Sequence, residues 1–152
     1  MASDRIEREI EIEAPIEVVW AVVTEPGHIA VWATDAVDLD VRPGGDGRMV
    51  FRDKTTQQEI TVNMRVERVE PPRYFSFRWN HPDGAEPDAT NAPLVEFTLE
   101  ARGESTRLRL VESGIDSLER PDEDRTAYFD DHSGGWTAIL ERLRDHARAV
   151  AG

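Results

Sequence analysis

The chain contains no cysteine and a single lysine, Lys54, and nowhere does it string together the roughly eighteen apolar residues that a membrane-crossing helix needs. Without cysteine there is neither a disulfide framework nor a thiolate metal site. The opening MASDRIEREI lacks the basic stretch followed by an apolar one that marks a secretory signal, so a cytoplasmic location is the expectation. Positive charge is scarce as well: 18 Lys and Arg face 31 Asp and Glu, for a net charge of −13. Such a surface repels phosphate, so neither nucleic acid nor an anionic membrane is expected as a partner. Motifs are missing too. No HExxH, no cluster of His with Asp and no EF-hand loop offers a metal site, and neither GxGxxG nor GxxxxGK offers a phosphate loop. No serine sits in a GxSxG elbow. A metal and a cofactor are both expected to be absent.

What remains is enough for one core. The 152 residues are 39% hydrophobic and 32% charged, the balance of a single globular domain spanning residues 1–152. Ile6, Ile10 and Ile12 alternate with Glu7, Glu9, Glu11 and Glu13, the period of a strand with one wet face. In EAPIEVVWAVVTEPGHIAVW the period changes. Pro15 suits a first helical turn, Val18, Val19, Val22 and Val23 form an apolar face, Pro26-Gly27 stops the helix, and a short second one carries Ile29, Val31 and Trp32. Period two returns at Val37, Leu39 and Val41, and RPGGDGR turns the chain into Met49 and Phe51 as a hairpin. Ile60, Val62, Met64 and Val66 continue the pattern, but Val69 has the opposite parity, which predicts a β-bulge or a strand end near Glu67 and Arg68. YFSFRWN follows, then the polar HPDGAEPDATNAP, then strands carrying Val95, Phe97 and Leu99, and Leu108 and Leu110. That makes seven strands, six of them consecutive.

The last third is helical. Tyr128, His132, Trp136, Ile139, Leu140, Leu143, Ala147 and Val150 recur at spacings of three and four, an apolar stripe along a polar rod. Gly134 and Gly135 interrupt it at about 1 kcal/mol each relative to alanine, so either another segment approaches closely there or the helix begins nearby. The acidic run ERPDEDR, residues 119–125, reads as a solvated helix entry favoured by the helix dipole rather than as catalytic carboxylates.

Strand, two short helices, six antiparallel strands and a long terminal helix make an α+β architecture. EAPIEVVWAVVTEPGHIAVW, RPGGDGR, VERVEPPRYFSFRW and GGWTAILERLRDHA, in that order, resemble the helix-grip (START-like, Bet v-like, SRPBCC) superfamily, in its branch similar to the activator of heat-shock protein 90 ATPase. The resemblance covers about residues 6–150. It implies a curved antiparallel seven-stranded sheet wrapped around the C-terminal helix, with a space between them that in many relatives holds a hydrophobic small molecule.

On that arrangement Phe75, Phe77 and Trp79, alternating along one strand, either close-pack as core or form a cavity wall. Their expected neighbours are Met49, Phe51, Met64 and Phe97, with Trp32, Tyr128, His132 and Trp136 from the helices. Of the four histidines, His28, His81, His132 and His146, only His132 lies on the apolar stripe. It is the candidate to bond a ligand or to act as acid or base, with Glu112 at the end of the last strand, or Arg78 if strand twist turns it inward, as polar company, and with Asp131 pointing elsewhere. Helix-end bonding to backbone or solvent is the plainer role for His132. Three functions are open: a binder of a small hydrophobic, aromatic or lipid-like molecule, a polyketide cyclase-like enzyme using the same cavity, and a co-chaperone. The chaperone partner has the least support, and an exposed strand could pair two copies as a homodimer.

Overall fold

Alternation of isoleucine and glutamate makes β1 (Arg5–Ile12) in a computed structural model that describes residues 5–53, 55–79 and 86–152. Lys54, His81 and the start of the polar stretch after Trp79 lie outside the described residues. β1 is an edge of one antiparallel sheet whose order is β1-β7-β6-β5-β4-β3-β2. The other strands are β2 (Ala36–Leu39), β3 (Asp46–Arg52), β4 (Glu59–Glu70), β5 (Tyr74–Trp79), β6 (Leu94–Arg102) and β7 (Ser105–Ser113). β1 thus pairs with the last strand, Ile6 opposite Glu112, and the six later strands form a meander. The expected seven-stranded sheet is present.

Local chemistry sets the details. At the β2–β3 turn Gly44 has φ of 79°, and a Cβ on Gly45 would lie 2.0 Å from the Asp40 carbonyl oxygen, so RPGGDGR folds only with glycine there. In β4 the pairing with β5 slips between Val66 and Arg68, so that Val66 opposes Phe77 and Val69 opposes Phe75. This is the bulge that the parity of Val69 predicts, and it returns Val69 to the face it would otherwise leave.

Three helices cover one face of the sheet: α1 (Ile16–Thr24), α2 (Pro26–Trp32) and α3 (Asp122–Ala151). Pro26 does more than end α1, because it occupies the first turn of α2, where a missing N–H is harmless. Val31 faces outward at 58% exposure, while Ile29 and Trp32 are buried. α1 packs on β6 and β7, α3 on β1, and α1 and α2 flank α3. Trp20 meets Phe75 edge-on with centroids 6.4 Å apart, and Trp32 meets Phe97 in the same way at 6.1 Å, so this end of the interior is solid.

α3 runs unbroken for 30 residues. Its entry follows Pro121 and carries Asp122, Glu123 and Asp124 in the first turn, the dipole-favoured arrangement expected of ERPDEDR. Neither explanation of Gly134 and Gly135 holds. The helix begins twelve residues before them, and a Cβ at either would meet no atom within 4 Å. Among the described residues no helix is long and apolar enough to cross a membrane.

Candidate functional site

Thr106, Leu108, Leu110 and Glu112 alternate onto one face of β7, and all four are completely buried. An ionised carboxylate in such a place must find donors or be neutralised. Glu112 finds four. Its Oε2 accepts from Trp79 Nε1 at 2.7 Å and from the Tyr128 hydroxyl at 2.6 Å, and its Oε1 accepts from His132 Nδ1 at 3.0 Å and Trp136 Nε1 at 2.9 Å. Two donors on each oxygen leave the carboxylate well satisfied.

The geometry follows from helix and strand periods. Tyr128, His132 and Trp136 are spaced by four, hence stacked along one face of α3 over about 12 Å, so the outer two can lean inward to the carboxylate that His132 faces. Trp79 comes from β5, on the face that also carries Phe75 and Phe77. The rings brace each other: Trp79 stacks on Trp136 at 5.5 Å, and Tyr128 stacks on His132 at 3.8 Å. Burial by itself pushes the Glu112 carboxyl up, but His132, Tyr128 and Trp79 outweigh it and hold it below its ordinary value. Burial and then the Glu112 charge push the Tyr128 hydroxyl well above its ordinary value, which keeps it a donor.

On the other side of these rings is a cavity of about 250 Å³. α3 contributes Tyr128, Asp131, His132, Gly135, Trp136 and Ile139, and the sheet contributes Phe51, Ile60, Val62 and Trp79. Ile60 is 41% exposed, so the space reaches solvent at the β3–β4 side. Gly135 is the reason α3 leaves room, since any side chain there would project into empty space.

Of the residues expected to line such a space, Phe51, Trp79, Tyr128, His132 and Trp136 do so. Trp32, Met49, Met64, Phe75, Phe77 and Phe97 do not; they are buried in the packed core, where α1 and α2 fill the sheet's concave face. Glu112 and His132 come together as neighbours. Arg78 does not join them: it lies on the opposite face of β5 from Trp79, donates to the Ala92 carbonyl at 3.0 Å and pairs with Glu67 at 3.4 Å. Asp131, expected to point away, instead lies at the rim beside His132. Sequence reasoning missed the indole N–H and phenol O–H groups as the carboxylate's donors, although a glutamate on the Leu108–Leu110 face demanded some. It also missed Ile60, Val62, Gly135 and Ile139, of which Gly135 carried a signal as a glycine inside a helix. Among the described residues no group of three or more His, Asp or Glu is placed to hold a metal ion.

Residues 13–148 match the family described as Activator of Hsp90 ATPase homolog 1-like protein. A search of curated proteins gave no match. Among solved structures, DynU16, a protein in the dynemicin biosynthetic locus, is 25% identical with a TM-score of 0.72 over 95% of this chain and 47% of its own, so this chain spans about half of DynU16. Protein MLL2253 from Mesorhizobium loti is 24% identical with a TM-score of 0.72, over 93% of this chain and 95% of its own. The Aha1 dimer from Colwellia psychrerythraea is 20% identical with a TM-score of 0.71, over 99% of this chain and 100% of its own. The last two likenesses speak for the fold, which is the helix-grip fold. A family match over most of the chain, joined to that architecture, carries the conclusion: this chain belongs to the Activator of Hsp90 ATPase homolog 1-like family, in the START-like (SRPBCC) superfamily.

Proposed function

We propose that the chain binds a small, largely apolar molecule in the cavity between β3–β5 and α3, with His132, held by Glu112, as its main polar contact. The observation that carries this reading is the glycine-opened space of about 250 Å³ bounded by braced aromatic rings. A dry apolar cavity of roughly 150 Å³ takes benzene. The space here suits a molecule of one or two rings and lies just below the roughly 300–1,000 Å³ typical of drug-sized ligands. Four hydrogen bonds on Glu112 fix the rings before any ligand arrives, which lowers the entropy lost on binding. Titration with apolar fluorophores and hydrophobic metabolite mixtures, followed by tryptophan emission, tests it, because Trp79 and Trp136 both border the cavity. Saturable quenching or enhancement is expected; a flat response to every compound contradicts it. Pairing of two copies through an edge strand belongs to the same proposal, supported by the dimeric Colwellia protein, and sedimentation analysis decides it.

A second reading, a cyclase-like enzyme, is favoured by one observation, the Glu112–His132 pair at the cavity wall. A carboxylate accepting from Nδ1 leaves Nε2 as the lone-pair nitrogen of a neutral ring, the form that abstracts a proton. If such chemistry occurs, turnover of a poly-β-ketone chain slows by orders of magnitude in His132→Ala and Glu112→Ala. Unchanged rates remove both residues from any mechanism. The co-chaperone reading rests on the family description alone.

A further inference from the structure

Among the described residues, the ionisable side chains that line the cavity or bond to its wall are acidic, apart from the His132 imidazole and the Tyr128 phenol. Glu112 lies directly behind the aromatic wall, Asp131 stands at the rim, and His132 is the remaining ionisable group at the wall apart from the Tyr128 phenol. Among the described residues no arginine or lysine lines the space. Arg120, whose charge is felt at Tyr128, is not part of the lining. Summed over Glu112, His132 and Asp131, the formal charge stays negative whether the imidazole is neutral or protonated. Low-polarity surroundings strengthen the part of that field that comes from the buried Glu112, while exposed Asp131 acts at the solvent-facing rim. Trp79, Trp136, Tyr128 and Phe51 act in the same direction, since the faces of aromatic rings attract cations. The chain's net charge of −13 adds a long-range contribution of the same sign.

We infer that this cavity selects a small organic cation, an amine or ammonium group on an aromatic or aliphatic body, over a carboxylate of the same shape. The inference rests on the ligand-binding reading above and narrows it: fatty acids and other anionic lipids are excluded, and amine-bearing one- or two-ring compounds are favoured. Asp131 is the rim contact that the ammonium group meets, and the rings hold the body.

Three matched probes separate the inference from the reading beneath it: 2-phenylethylamine, 2-phenylethanol and phenylacetate, each titrated into the full chain by calorimetry near neutral pH at fixed ionic strength. The amine is expected to bind at least about tenfold more tightly than phenylacetate, with the alcohol between them. In Asp131→Asn, an exposed substitution, the amine-to-acid ratio is expected to shrink. If the alcohol saturates the protein but phenylacetate equals or surpasses the amine, the charge selectivity is overturned and the cavity reading stands. An unchanged ratio in Asp131→Asn overturns the role of the rim carboxylate. No saturation by any of the three overturns both.

Discussion

Glu112 is the residue on which the interior depends, because an acceptor-only side chain there satisfies two indoles, a phenol and an imidazole at once. Glu112→Gln keeps the shape but sets an amide NH₂ against an indole N–H, that of Trp79 or of Trp136, which cannot turn into an acceptor as the Tyr128 hydroxyl or the His132 ring nitrogen can. It is expected to destabilise the fold by about 3 kcal/mol, measured by urea unfolding, since each stranded buried donor costs roughly 1–3 kcal/mol. Tyr128→Phe removes one donor and is expected to cost less, about 1 kcal/mol. The sign of the pH effect follows from the depressed carboxyl. Its stabilising contribution is complete above the ordinary value of 4.5 and is lost as pH falls from there through the lower folded value. Acid unfolding of the wild type should therefore steepen below that value, and the Glu112→Gln variant should show a shallower acid limb.

α3 carries two tests at the level of the element. Gly134→Ala and Gly135→Ala meet no neighbour, so each is expected to raise thermal stability by about 0.5–1 kcal/mol through helix propensity alone. Their effects on ligand affinity should differ, because only Gly135 lines the cavity: its methyl group enters the space, and Gly134→Ala leaves affinity unchanged. The second test lies at the far end of the helix. His28 Nδ1 on α2 and His146 Nε2 on α3 share one hydrogen bond of 2.9 Å. Desolvation first, and then the neighbouring His28, hold His146 below its ordinary value of 6.5. Between the lowered folded value and 6.5 the unfolded chain binds more protons, so stability falls as pH drops through that window. A melting series from about pH 7.5 to about pH 5 should show this decline, and His146→Asn should flatten it.

In the whole molecule, the order of elements was legible because each rests on a local period: the Ile–Glu alternation of β1, the valines of α1, the parity break at Val69 and the three–four spacing of α3. The site was legible only in part. Tyr128, His132 and Trp136 announce a shared face by spacing alone, and Glu112 announces burial by falling on the face of Leu108 and Leu110. Which of the many aromatic rings border space rather than core was not legible, since that depends on where α1 and α2 end over the sheet. Phe75 and Phe97 meet Trp20 and Trp32 there, whereas Trp79 lies beyond their reach. The His28–His146 contact joins residues 118 positions apart and leaves no pattern in either helix. The space between sheet and α3 is most directly tested by filling it: Gly135→Leu places a side chain where none now stands. Titrated with 2-phenylethanol under tryptophan emission, the wild type should saturate, and Gly135→Leu, folded to the same helix content, should not respond. Equal binding by both proteins would put the ligand elsewhere and contradict the assignment of this cavity.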